Sequence, residues 1–102
     1  MIDESVFAPG KIEYNCFSIS FEKPFDQQLE SLTEDLILVR FEHEYTIDVG
    51  WYPALDPNGY LIVQLIKNED WNNPVEKSTV ANLNEMFEAI KRMKLAIGIN
   101  NG

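Results

Sequence analysis

The sequence predicts an α+β domain: an antiparallel sheet of four to five strands, a C-terminal amphipathic helix packed on one face, and a short helix near residues 25–35. Three observations predict it. From Ile37 to Trp51 the odd positions are Ile, Val, Phe, His, Tyr, Ile, Val and Trp, and the even positions from Arg40 are Arg, Glu, Glu, Thr, Asp and Gly. A two-residue period belongs to extended chain with one buried face. Asp56-Pro57-Asn58-Gly59 then separates that run from Tyr60-Leu61-Ile62-Val63-Gln64-Leu65-Ile66, as a hairpin connection would. Finally, Leu83, Met86, Phe87, Ile90, Met93 and Ile97 recur at helical spacing after the N-cap residue Asn82.

The remaining elements follow from local chemistry. Residues 1–10 read as a loose lead-in closed by Pro9-Gly10. Residues 12–21 read as a strand in which the apolar parity shifts between Cys16 and Phe17, the mark of a bulge or of cover on both faces. Phe25, Leu29, Leu32 and Leu36 share one helical face behind Pro24, which suits a helix start. Fifteen residues are long for one strand, so a bend or break is expected near Glu42-His43-Glu44, with the parity surviving it. In the hairpin connection Gly59 is expected at positive φ. The run 60–66 is apolar on both faces except at Gln64 and reads as an interior strand. Residues 68–74 read as loop, and Val75 to Ala81 as a short edge strand. Glu85 completes a capping box with Asn82, Lys91, Arg92 and Lys94 suit the C-terminal end of the helix dipole, and Gly98 can end the helix.

The 102 residues suit one domain, 1–102, with one core. The net charge is −9, and residues 1–90 hold all 17 acids but only five of the eight bases. That balance disfavours nucleic acid and anionic membrane surfaces, whose affinity comes from Lys and Arg. One cysteine, Cys16, excludes an intrachain disulfide. The acidic start Met-Ile-Asp-Glu lacks a leader's basic residues, and no apolar run has the length of a span, so the expected site is the cytoplasm.

No catalytic set stands out, and the expectation is a protein that is not an enzyme. Cys16 and His43 are the single residues of their kinds, but each lies in an alternating strand, so both read as packed side chains rather than a nucleophile and its base. One His and one Cys cannot build a structural zinc site, and no calcium loop or Gly-rich phosphate cradle occurs, so no metal or cofactor is expected. The surface offers more. Glu42, Glu44 and Asp48 lie on the polar parity of the long strand, Asp56, Glu69 and Asp70 in the loops, and Trp51, Tyr52, Tyr60 and Trp71 around the same hairpin and loop. Acids beside aromatics suit a basic partner, because charge speeds encounter and aromatic anchors supply binding energy. The competing reading makes Trp51 a cap on the core and the acids a solvated face.

The segments Ile47-Asp-Val-Gly-Trp-Tyr-Pro, Asp56-Pro-Asn-Gly-Tyr and Asp70-Trp-Asn-Asn-Pro, followed by a terminal amphipathic helix, resemble the small immunity proteins of bacterial polymorphic toxin and contact-dependent growth inhibition systems. The resemblance spans residues 45–97 and rests on pattern, size and acidity. It implies a cytosolic protein that binds and blocks a toxin domain, often a nuclease, whose basic cleft an acidic inhibitor can fill as a phosphate mimic. Glu42, Glu44, Asp48, Asp56, Glu69, Asp70 and Trp71 are then the expected contacts. The alternative is a small ligand-binding or enzymatic domain using His43 and nearby carboxylates, which an open apolar cavity beside His43 would favour.

Overall fold

The structure, a computed structural model, describes residues 2–99. Five strands, β1 (Lys11–Asn15), β2 (Ile37–Arg40), β3 (Tyr45–Tyr52), β4 (Tyr60–Lys67) and β5 (Glu76–Val80), form one antiparallel meander in the order β1-β2-β3-β4-β5. Among the described residues one α-helix, α1 (Leu83–Ala96), packs against β4 and β5. This is the α+β architecture that the pattern predicts, with β4 interior and β5 at the edge.

The break in the long alternating run falls where expected. Residues 42–44 form a tight turn closed by the Phe41 amide donating to the Tyr45 carbonyl at 2.8 Å, with His43 and Glu44 both in the left-handed region (φ 63° and 65°). Because the turn preserves parity, Ile37, Val39, Ile47, Val49 and Trp51 all face one core, with Leu61, Val63, Leu65, Met86, Ile90 and Met93 on its other walls.

Several local expectations are corrected. β1 stops at Asn15, and residues 17–21 run on as irregular chain; the register shift lies between Ile12 and Tyr14. The helix expected over 25–35 is two 3-10 turns, Phe25–Gln27 and Leu29–Ser31, interrupted at Gln28 (φ −142°). Buried Gln28 explains the interruption. Its side chain donates to the Ser20 carbonyl at 2.7 Å and accepts from the Ser20 amide at 2.8 Å, a pairing that binds this stretch to the irregular chain beside it and outweighs helical continuation. The lead-in is not loose: Glu4–Phe7 is a 3-10 turn and Phe7 is fully buried. Gly59 is not at positive φ; Leu55 is, at 63°. Glycine is needed at 59 for space, since a Cβ would lie 2.7 Å from both Trp51 Nε1 and the Tyr52 carbonyl oxygen. Asn82 caps α1 by accepting from the Glu85 amide at 2.9 Å, but Glu85 reaches back to the Ala81 amide, one residue beyond a standard box.

Lys94 does more than complement the helix dipole. It is 5% exposed, and its Nζ donates to the carbonyls of Val6 and Ala8 at 2.8 and 2.7 Å, fastening the N-terminal segment to α1. Burial lowers its pKa.

Candidate functional site

The strand directions separate the candidate residues. The 42–44 turn and the 68–75 connection lie at one end of the sheet, where the Asn68 amide donates to the Glu44 carbonyl. The 53–59 connection lies at the other end, about 25 Å away along β3. Of the residues predicted as contacts, Glu42, Glu44, Glu69, Asp70 and Trp71 therefore gather at the first end, Asp56 sits at the second, and Asp48 lies between them in β3.

The first end is mixed in charge. Arg40 makes ion pairs with Glu69 and Glu13, both at 3.2 Å, and Lys67 donates to the His43 carbonyl at 3.0 Å while its ammonium sits 4.1 Å from the Tyr45 ring centroid. Asp70 is engaged by the Asn73 amide group. Trp71 is 44% exposed, whereas Trp51 is 2% exposed and caps the core.

The second end is dominated by acid, with Lys23 at its margin beside Pro24. Residues 24–36 and 52–60 carry five carboxylates, Asp26, Glu30, Glu34, Asp35 and Asp56, and no Lys or Arg. Two hydrogen bonds bring these segments alongside each other and β3: the Leu55 amide donates to the Leu32 carbonyl at 2.6 Å, and the Trp51 amide to the Thr33 carbonyl at 2.8 Å. The Leu36 amide in turn donates to the Val49 carbonyl, so residues 33–36 run beside β3. The backbone at Glu34 crosses so close above Gly50 that only a glycine fits there.

That crossing places Glu34 and Asp35 next to Asp48. Asp48 shares the sheet face away from α1 with Thr46, Gly50 and Tyr52, and with Tyr60, Ile62, Gln64 and Ile66 of β4. The polar parity of β3 is thus not the solvated face that its composition suggests: Thr46 is 2% and Asp48 4% exposed. Asp48 accepts from the Tyr52 hydroxyl at 3.4 Å and from Gln64. Burial, followed by the charge of Asp35, pushes its pKa up to about 6. Tyr14, whose hydroxyl donates to Asp35 at 3.5 Å, is pushed up to about 12 by burial and by Asp35 and Asp48. Tyr52 is raised further, by burial and then Asp48. Both phenols therefore remain protonated donors beside carboxylates held close together. One cation, Lys77, occupies the same cross-strand row at the β5 edge, two strands from Asp48.

Sequence reasoning missed Glu34, Asp35, Tyr14 and Tyr52 as one group. Their nearness depends on the irregular path of residues 33–36, for which periodicity has no signal.

His43 and Cys16 are both exposed, a correction to the packed readings, and they lie at opposite ends of β2: Cys16 donates its amide to Leu36, while His43 follows Arg40 in the turn. They form no pair. A hollow of about 540 Å³ does open beside His43, lined by Pro9, Phe41, Ile97 and Ile99 with Lys11 and Arg40 among its polar walls. Among the described residues, no group of three or more His, Cys, Asp or Glu is placed to hold a metal ion, and no helix is long and apolar enough to cross a membrane. No protein-family model matches the chain, no curated protein matches its sequence, and no solved structure matches its fold.

Proposed function

We propose that this chain is an immunity-type protein of the cytoplasm, a stoichiometric inhibitor that neutralises a basic toxin domain, of the nuclease kind, by binding it rather than by catalysis. One observation carries the reading: residues 24–36 and 52–60, held alongside each other and β3 by hydrogen bonds, carry five carboxylates and no Lys or Arg. A nuclease cleft is basic because it grips a polyanion. Carboxylates gathered in the segments beside β3 match such a cleft as phosphates do. The −9 net charge steers the encounter within about one Debye length, roughly 8 Å at physiological ionic strength.

The test is co-purification with the polypeptide encoded immediately upstream. A complex at micromolar or lower concentration is expected, and no complex there counts against the reading. Charge reversal refines it. Glu34→Lys with Asp35→Lys should slow association about tenfold at low salt, and little at 0.5 M salt, where the Debye length is only a few ångströms. Both residues are exposed, so the fold should persist, and loss of the Asp35 charge beside Asp48 should if anything raise melting at pH 7. The same reversal at Glu44 and Asp70, where nearby cations already offset the charge, should slow association less. Fast association that ignores salt removes the electrostatic argument.

The hollow beside His43 favours a second reading, a small-ligand domain. Its apolar wall, with Lys11, Arg40 and Glu42 on the rim, suits a small aromatic ligand, and anilinonaphthalene sulfonate is a direct probe. Under this reading the dye brightens on binding and His43→Ala with Lys11→Ala abolishes the effect. A dye that stays dark at millimolar protein removes it.

A further inference from the structure

The loop between β3 and β4 exposes an apolar side chain under conditions that would ordinarily select against it. Leu55 is 58% exposed and sits at φ 63°, a conformation that a branched aliphatic residue rarely adopts. Nothing about its own burial accounts for a leucine there. The loop around it is firmly held: the Leu55 amide is bonded to Leu32, the Trp51 indole donates to the Asp56 carbonyl at 2.7 Å, and the Asn58 amide donates to the Asp56 carboxylate at 2.8 Å. Tyr60, opposite Tyr52 in the register and therefore at the mouth of the same loop, is 61% exposed, and Leu29, in the turn that leads to Leu32, is 39% exposed.

We infer that this end of the sheet is the docking surface, with Leu55 and Tyr60 as its apolar anchors, and that its occupant is a basic protein surface bearing an apolar recess that receives Leu55. The inference rests on the neutralisation reading and adds to it where the partner sits and what it must look like. Charge selects the occupant. The anchors lie among segments that carry five carboxylates, Asp26, Glu30, Glu34, Asp35 and Asp56, against Lys23 at their margin, so an acidic partner, a second copy of this chain included, would meet like charge. Apolar anchors surrounded by a polar rim are the usual anatomy of a tight protein interface. A loop already rigid in its bound form loses little freedom on docking.

Leu55→Gly is the informative substitution. Glycine tolerates φ 63° at no steric cost, so the fold keeps its loop while the anchor is deleted. With the upstream-encoded polypeptide as partner, Leu55→Gly should weaken Kd about thirtyfold and Tyr60→Ser about tenfold, with melting within a few degrees of the parent; Trp71→Ser, at the mixed end, should change Kd less than about threefold. A complex that forms, yet is weakened by Trp71→Ser and not by Leu55→Gly, overturns the docking surface and leaves neutralisation standing. Failure of any complex removes the neutralisation reading, and a designed Lys/Leu amphipathic peptide then judges the surface by itself. Its binding should shift the Leu55 methyl and Tyr60 ring resonances before any others, and a Lys/Ser peptide of equal charge should bind more weakly. Shifts spread over all acidic regions, or centred on Trp71, overturn the inference.

Discussion

Replacing Asp48 by asparagine should stabilise the protein at pH 7 and flatten its stability across the acidic range. A carboxylate that titrates near 6 in the folded protein and near 3.9 in the unfolded chain is protonated in the native state while the unfolded state has already lost its proton. Between those values the folded state binds more protons, so stability falls as pH rises, and below about pH 4 the penalty is absent. By pH 7 the cost is about 3 kcal/mol, caused first by burial and second by the neighbouring charge of Asp35. For a domain of this size that corresponds to a melting difference on the order of 10–20 °C. Asparagine keeps an acceptor for Tyr52 and carries no charge. Thermal melts of parent and Asp48→Asn from pH 4 to pH 7.5 should coincide at the acidic end and diverge with rising pH; curves that stay parallel would show that Asp48 carries no such cost.

Gly50→Ala should be the most damaging single methyl in the protein. A Cβ at this position falls inside the contact distance of the Glu34 carbonyl oxygen, 2.8 Å from the Glu34 carbonyl carbon and 3.0 Å from Tyr52 Cε2. The first two obstacles are backbone, and that backbone cannot easily retreat, because Thr33 and Leu36 on either side are hydrogen-bonded to Trp51 and Val49. Overpacking of this kind costs about 3 kcal/mol, the upper part of the usual range. Denaturant unfolding should show that loss with an unchanged m-value. The side effect is functional: residues 33–36 must lift away, carrying Glu34 and Asp35 from Asp48. The variant should therefore return the Asp48 pKa toward its ordinary value even where it remains folded. Wild-type stability in Gly50→Ala would mean that the chain crosses β3 elsewhere and that the acidic group is not assembled as described.

Both effects depend on one feature, the irregular passage of residues 33–36 over β3. It also explains why the residues named from sequence divide into separate groups. Glu42, Glu44, Glu69 and Asp70 share the parity or loop chemistry of a solvated acidic surface, but sequence has no means of counting the cations folded back among them. Arg40 reaches Glu69 across 29 positions.

The amino-acid sequence by itself determined an antiparallel sheet of four to five strands and its C-terminal helix; the strand order was decided by the tertiary structure. The alternation from Ile37 to Trp51, the Asp56 to Gly59 connection, the doubly apolar β4 and the capped α1 each report on nearest neighbours in the chain, and local periodicity is a sufficient record of which face is buried. It also determined the excess of acid. Only the tertiary structure decided that Asp48 is dry, that Glu34 and Asp35 stand over it, that His43 and Cys16 face solvent far apart, and that Leu55 is displayed. The physical reason is common to all of these. Burial and charge proximity outside regular elements depend on where an irregular segment crosses a strand, and that is settled by hydrogen bonds such as those from Leu36 to Val49 and from Trp51 to Thr33, between residues 13 and 18 positions apart, which leave no repeating mark on composition or spacing.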